Sequence, residues 1–243
     1  MVANDMIVIA HRGASAYAPE NTEAAFDLAI AMRADAIETD LRRTQDGVIV
    51  LIHDAQVNRT TDGHGRVEDM VWSALQTLDA GRWKHSRFAG QRIPTLDWFL
   101  DRYGPLCPLY LELKGQGVEE SAALAIRQRR LEDQVVFTSF DLDAVVTAGR
   151  LVSVRTCWLV REWSETVAQR ARDAGLYEVS INVENVDAEI AQRVRSTGLG
   201  VRAWGLRDEV LMRRAVTSGV DGVTIDFPDR LIPLLRPSPT DDE

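Results

Sequence analysis

The sequence predicts an α/β protein of the (β/α)8, or TIM-barrel, class, with a β-hairpin extension and a small insertion after its second strand. Three observations predict it. Short β-branched runs alternate with longer helix-period patterns almost throughout, the rhythm of βα units around a parallel sheet. There are eight such runs, each followed by a helical pattern, within 243 residues, which is the arithmetic of a closed barrel. Several runs alternate apolar with polar side chains. A strand covered by helices on both faces reads as continuously apolar, so this alternation favours a barrel with a polar mouth over the competing doubly wound sheet.

The first strand is MIVIA (6–10), followed by the helical TEAAFDLAIAMRA. The second, DAIETD (35–40), sets Ile37 and Thr39 against Glu38 and Asp40 on the other face. TQDG (44–47) is then a turn signal, and VIVLI follows too closely to have crossed over through a helix. The two runs therefore form an antiparallel hairpin. Counted outward from Gln45 and Asp46, Asp40 lies opposite about residue 51 and Glu38 opposite about residue 53, which returns His53 beside both acids. Residues 55–94 show little periodicity and read as an insertion rather than an independent domain, so residues 1–243 form one barrel domain.

Beyond the insertion come TLDWFLDRYG as a helix and PLYLEL (108–113) as the third strand, with Leu109, Leu111 and Leu113 on one face and Tyr110, Glu112 and Lys114 on the other. EESAALAIRQRR, the strand QVVFTS (134–139), DLDAVVTAG, VRTCWLV (154–160) and WSETVAQRARDAG continue the alternation. EVSIN (178–182) opposes Val179 and Ile181 to Glu178, Ser180 and Asn182. DAEIAQRVRSTG, GVRAWG (200–205), DEVLMRRAVTSG, DGVTID (221–226) and a short DRLIPLL complete it. Gly104, Gly175, Gly198 and Gly219 stand where helices end, the position that favours a left-handed backbone. The acidic tail RPSPTDDE is expected to be loose.

Thirty-seven acids against 28 bases give a formal charge of −9, a field that repels nucleic acid and anionic membranes, so a phosphate-bearing ligand needs a local site. Cys107 and Cys157 lack metal-type spacing and are read as packing residues in a reducing compartment. The N-terminus has no basic start or signal-like apolar core, and nowhere do about 18 apolar residues run together. The reading is a cytoplasmic protein acting on a small molecule, without nucleic-acid partner or stable membrane insertion; oligomeric state is not legible.

Barrel chemistry gathers at the C-terminal ends of the strands. There the sequence places His11 and Arg12 after strand one, Glu38 and Asp40 on strand two with His53 returned by the hairpin, Glu112 and Lys114 on strand three, and Trp204 on strand seven. Glu38, Asp40 and Glu112, without a cysteine, make a hard oxygen-rich site suited to a divalent cation, Mg²⁺ or Ca²⁺, rather than Zn²⁺. His11 and His53 suit acid–base work, imidazole titrating at about 6.5. Arg12 and Lys114 suit phosphoryl oxygens, and the positive end of the helix starting near Asn21 or Thr22 adds attraction for anions.

AHRG, PENT, the ETDLRRTQDG-to-HD hairpin, RTTDGHG, IPTLDWFL, LYLELK, TSF (138–140) and GVDGVTIDFPD together resemble the glycerophosphodiester phosphodiesterase family, over residues 9–228. The resemblance implies a metal-dependent barrel that hydrolyses glycerophosphodiesters to sn-glycerol 3-phosphate and an alcohol. It implies an acid–base pair at His11 and His53, an ion at Glu38, Asp40 and Glu112, and phosphate contacts at Arg12 and Lys114. One departure is clear: the family commonly follows the strand-seven tryptophan with Thr, an apolar residue and Asn, whereas here Trp204 precedes Gly205, Leu206 and Arg207. Trp204 is left as a wall for the glycerol or leaving group.

Several roles stay open at this stage. Glu20 either favours the first helical turn, steadies His11 from behind, or meets the ligand directly, and Asn21 is expected in the same supporting layer. Asp54 orients His53 or caps a loop. Lys114 holds phosphate or neutralises Glu112, and Trp204 is wall or core. Asp226 shapes the turn before the last helix or contacts ligand, the first being preferred, and His64 and His85 are expected to lie exposed. Trp72, Trp83 and Phe88 are the candidates for a lipid-binding rim, as a lysophospholipase D-like or phosphatidylinositol-type enzyme would need. A catalytically silent phosphodiester-binding barrel would be expected to lack one of the histidines or acids, and none is missing.

Overall fold

A computed structural model describes residues 5–236; most of the tail expected to be loose lies outside the described residues. Within that span the strands are β1 (Ile7–His11), β2 (Ala36–Arg43), β3 (Ile49–Leu51), β4 (Leu109–Leu113), β5 (Val135–Ser139), β6 (Arg155–Val160), β7 (Glu178–Asn182), β8 (Gly200–Leu206) and β9 (Gly222–Ile225). Eight of them pair in parallel in the order β1-β9-β8-β7-β6-β5-β4-β2, and β1 pairs again with β2 to close the barrel. Helices α1 (Glu23–Ala31), α2 (Trp72–Leu75), α3 (Leu96–Tyr103), α4 (Glu119–Arg129), α5 (Leu142–Leu151), α6 (Glu165–Asp173), α7 (Ala188–Ser196), α8 (Glu209–Ser218) and α9 (Pro228–Leu235) cover the outside, apart from α2 in the insertion.

The parity seen in the sequence holds. Ile37, Leu109, Leu111, Phe137, Val179 and Ile181 face the helices in two large apolar clusters. Ile9, Ala36, Tyr110, Val136, Cys157 and Leu159 fill the barrel interior, with Trp204 against them. A second interior feature escaped the sequence reading. Arg202 is buried, donating through Nε to Glu178 Oε1 at 2.6 Å and through Nη1 to Thr224 Oγ1 at 3.1 Å, with Cys157 Sγ 3.2 Å from its Nη2 and the Tyr110 ring 4.3 Å away. Desolvating this charge is expensive, and the crowd of partners offsets that cost.

Three backbone expectations are corrected. The hairpin pairs Leu41 with Leu51 and Arg43 with Ile49, one residue out of the expected register, so that the Ile52 amide bonds the Asp40 carbonyl. The reason is a longer turn: Thr44 bonds Val48 across Gln45, Asp46 and Gly47, and Gly47 takes φ +90°, a three-residue loop with a bulge in place of the two-residue turn. β2 also runs past the two acids to Arg43, so they sit within it rather than closing it. Among the four helix-ending glycines, Gly175, Gly198 and Gly219 do take positive φ, but Gly104 stays helical at φ −54°. Its constraint is space: a Cβ there would lie 2.6 Å from the Leu100 carbonyl oxygen.

Residues 55–94 form a small annex. Val57, Val67, Leu75, Ala80 and Ile93 make a separate apolar cluster with Val50 and Ile52 of the hairpin strand. The insertion is thereby tied to the segment that carries His53.

Candidate active site

The predicted residues converge. His11, Arg12, Glu38, His53, Glu112, Lys114 and Trp204 line one cavity of about 370 Å³ at the C-terminal end of the barrel. Asp40 lies buried behind them, its carboxylate between Arg12 Nε at 3.0 Å and Lys114 Nζ at 3.4 Å.

Each side chain is set by its element. After β1 the chain turns sharply, Arg12 at φ 56° and Gly13 at φ 79°, and a Cβ on Gly13 would sit 2.5 Å from the Ala25 carbonyl carbon of α1. That turn aims the Arg12 amide at Glu38 Oε2, 3.0 Å away, and its guanidinium at Glu20, 2.8 Å away. The His11 ring meets Asp226 Oδ1 through Nδ1 at 2.6 Å, leaving Nε2 4.0 Å from Glu38. His53 makes the equivalent contact with Asp54 Oδ1, 2.6 Å from its Nδ1. The supporting Asn21 donates to Asp40 Oδ2 at 2.9 Å and accepts from Thr39 at 2.7 Å.

Glu38, Asp40 and Glu112 offer oxygens all within 4.8 Å of one another. These acids fit a divalent cation. Glu38 Oε1 is buried without a hydrogen-bond donor and Asp40 Oδ1 has only the long 3.4 Å approach of Lys114 Nζ, a costly state for carboxylates that a cation relieves. Burial, then the charge of Asp40, pushes the Glu38 pKa up to about 8, and the same two causes raise Glu112. Burial acts upward on Asp40 too, but Arg12 and Lys114 outweigh it and hold Asp40 low. Lys114 Nζ also stands 2.6 Å from Glu112, so it neutralises the acids while lining the cavity.

The imidazoles are tuned apart. Burial opposes charge on His11, yet the Asp226 bond and neighbouring carboxylates prevail and raise its pKa. Burial, with Arg12 and Lys114, lowers that of His53 despite Asp40 and Asp54.

Other expectations are corrected or sharpened here. Glu20 does not steady His11: it binds Arg12 and, through both oxygens, Arg59 at 2.8 Å. Asp226 does more than shape a turn, since it holds His11 and Ser15. The start of α1 does not face the cavity; the Ala24 amide is taken by Gln91, and Glu23 lines a separate groove with Trp72 and Trp98. Trp72, Trp83 and Phe88 do not line the cavity either, and its apolar wall is Phe140, Leu159, Trp204 and Leu206. Phe140 packs edge-on to Trp204 at 5.2 Å, and Trp204 Nε1 is fixed by the Val160 carbonyl at 3.0 Å. His64 and His85 are exposed, and both cysteines are buried free thiols. Sequence reasoning passed over Phe140, inside its own TSF motif, and did not pair the distant carboxylate of Asp226 with His11, a contact that only the closing of β9 on β1 makes.

A closed (β/α)8 barrel with an acidic cluster, two imidazoles and two cations at its C-terminal mouth is a scaffold for metal-assisted chemistry on an anionic substrate. The sequence profile of the Glycerophosphoryl diester phosphodiesterase family matches residues 11–230. The chain is 39% identical to the YhdW protein of Bacillus subtilis over 93% of this chain and 97% of that one. It is 34% identical to a glycerophosphodiester phosphodiesterase of Caldanaerobacter subterraneus, covering 95% and 98%. A phosphodiesterase structure from Oleispira antarctica, in complex with the product sn-glycerol-3-phosphate, superposes with a TM-score of 0.83 at 31% identity, covering 93% and 94%. The chain belongs to the glycerophosphoryl diester phosphodiesterase family, and its activity is the hydrolysis of glycerophosphodiesters. Among the described residues no helix is long and apolar enough to cross a membrane.

Proposed function

We propose that the enzyme releases sn-glycerol 3-phosphate and an alcohol by two-imidazole acid–base catalysis at a site that binds Mg²⁺ or Ca²⁺. Glu38, Asp40 and Glu112 would hold the ion; when bound it supplies positive charge against the phosphoryl oxygens and the attacking or leaving oxygen. The observation that carries this reading is the presence of His11 and His53 in one cavity with Glu38 and Glu112. One imidazole removes a proton from the nucleophile and the other protonates the departing alkoxide; attack by water gives sn-glycerol 3-phosphate directly, whereas attack by the neighbouring glycerol hydroxyl gives a cyclic phosphate that a water molecule, deprotonated in turn, then opens to the same product. Asp226 and Asp54 take the Nδ1 side of each ring, which turns Nε2 to the substrate.

Arg12 and Lys114 bind the phosphate oxygens, and Trp204 with Phe140 forms the wall for glycerol or leaving group. Glu20, Asn21 and Asp54 support from behind. We read residues 1–243 as one barrel domain with an insertion at 55–94, working in the cytoplasm on a diffusible substrate. The apolar wall favours a second reading, lysophospholipid hydrolysis. Assaying purified protein on glycerophosphocholine, glycerophosphoethanolamine and lysophosphatidylcholine, with and without EDTA, tests both: turnover of the first two that EDTA abolishes is expected, and turnover confined to the third would replace this reading.

A further inference from the structure

The motif RTTDGHG begins with Arg59, which lies outside the cavity lining yet touches what holds the site on two sides. Its Nε and Nη2 donate to the two oxygens of Asp54 at 2.7 and 3.2 Å, and Nη1 and Nη2 donate to the two oxygens of Glu20 at 2.8 Å each. Beyond Asp54 stands His53 Nδ1 at 2.6 Å; beyond Glu20 stands Arg12 Nη1 at 2.8 Å. One unbroken series, His53–Asp54–Arg59–Glu20–Arg12, therefore joins the group delivered by the hairpin to the group delivered by β1.

The position demands a guanidinium, whose rigid fork of donors serves two carboxylates at once, as a single ammonium does not. The insertion is built to hold it. Arg59 ends a 3₁₀ turn whose first residue, Val57, is fully buried in the annex core. The Val57 amide bonds the Gly65 carbonyl, Thr61 Oγ1 bonds the Val57 carbonyl at 2.8 Å, and Asn58 Oδ1 accepts from the Gly65 amide at 3.1 Å. Because the Arg59 side chain is 44% exposed, solvent screens its ion pairs, and its value lies in geometry more than in stability.

We propose that Arg59 is a positioning residue that orients the His53 ring through Asp54 and the Arg12 guanidinium through Glu20, so that the insertion sets both halves of the site. The proposal rests on the acid–base and phosphate roles assigned above to His53 and Arg12. It is tested by kcat and KM for glycerophosphocholine at saturating divalent cation in Arg59→Ala, Arg59→Lys, His53→Ala and the His53→Ala/Arg59→Ala double variant, together with thermal melts. Arg59→Ala is expected to lower kcat roughly 10- to 100-fold, to move KM less than about threefold, and to keep a cooperative melt. Added guanidinium ion should restore part of its rate, Arg59→Lys should fall between Arg59→Ala and wild type, and Arg59→Ala should cost less in the His53→Ala background than in wild type, the remainder being the share carried through Glu20 and Arg12. Normal kcat in Arg59→Ala beside an inactive His53→Ala would overturn the coupling alone, whereas normal turnover in His53→Ala would overturn the functional reading beneath it. Loss of rate that tracks loss of folded protein, with no rescue, would also overturn the proposal.

Discussion

Asp226 Oδ1 lies 2.6 Å from His11 Nδ1, a contact that spans 215 residues of chain and fixes which ring nitrogen of His11 is left for the substrate. The same carboxylate accepts from Ser15 at 3.1 Å, so its own orientation is fixed. Asp226→Asn keeps the shape but loses the charge that holds the ring and favours imidazolium. A kcat loss of roughly 10- to 100-fold is expected, with metal affinity by calorimetry unchanged. His11→Ala and His53→Ala should each lose several orders of magnitude in kcat while still binding metal. Near-normal turnover in either would refute the acid–base assignment.

The acids predict how a cation and pH act together. Glu38 has its folded pKa raised from 4.5 to about 8, so its contribution to the metal-free fold is complete below about 4.5 and is lost as pH rises toward 8. Cation binding needs the ionised form and displaces that proton. The rise in melting temperature given by Mg²⁺ or Ca²⁺ should therefore be larger at pH 8 than at pH 5.5. An equal rise at both would show that no raised carboxyl takes part.

The buried pair below the site predicts a stability effect. Arg202→Ala leaves Glu178 as a lone buried charge and should cost about 3–5 kcal/mol in urea unfolding. Replacing both by apolar residues of similar volume should cost much less. A single-variant loss under about 1 kcal/mol would contradict the buried-charge account.

Trp204 and Phe140 predict a binding effect. Removing the Trp204 ring takes away about 1–2 kcal/mol of apolar contact shared by ground and transition states, so Trp204→Ala should raise KM by about tenfold with kcat changed less. A pure kcat loss would mean that the ring acts on the reacting atoms.

What the sequence made legible follows from what is local. Side-chain parity in LYLEL and EVSIN gave the barrel, because alternation along one strand needs no knowledge of partners. Glu38, Asp40 and His53 are joined by a hairpin whose ends are close in the chain, and the one-residue shift in register still leaves His53 in one cavity with Glu38. Asp226 was misjudged because its meaning depends on β9 closing against β1, a contact no local pattern announces. Arg202 stood in plain view in GVRAWG, but only the closed barrel sets Glu178, Cys157 and Thr224 around it. Arg59 lay in an aperiodic stretch, where the determinants are bonds between side chains and loop backbone rather than a period.

Two-imidazole catalysis at this site requires a single cation shared by three acids within reach of both rings. Anomalous diffraction from crystals soaked in Mn²⁺ tests this directly. It predicts one strong peak at roughly 2.0–2.6 Å from carboxylate oxygens of Glu38, Asp40 and Glu112, with both rings facing the same cavity. A peak elsewhere, or none at these acids, would contradict it.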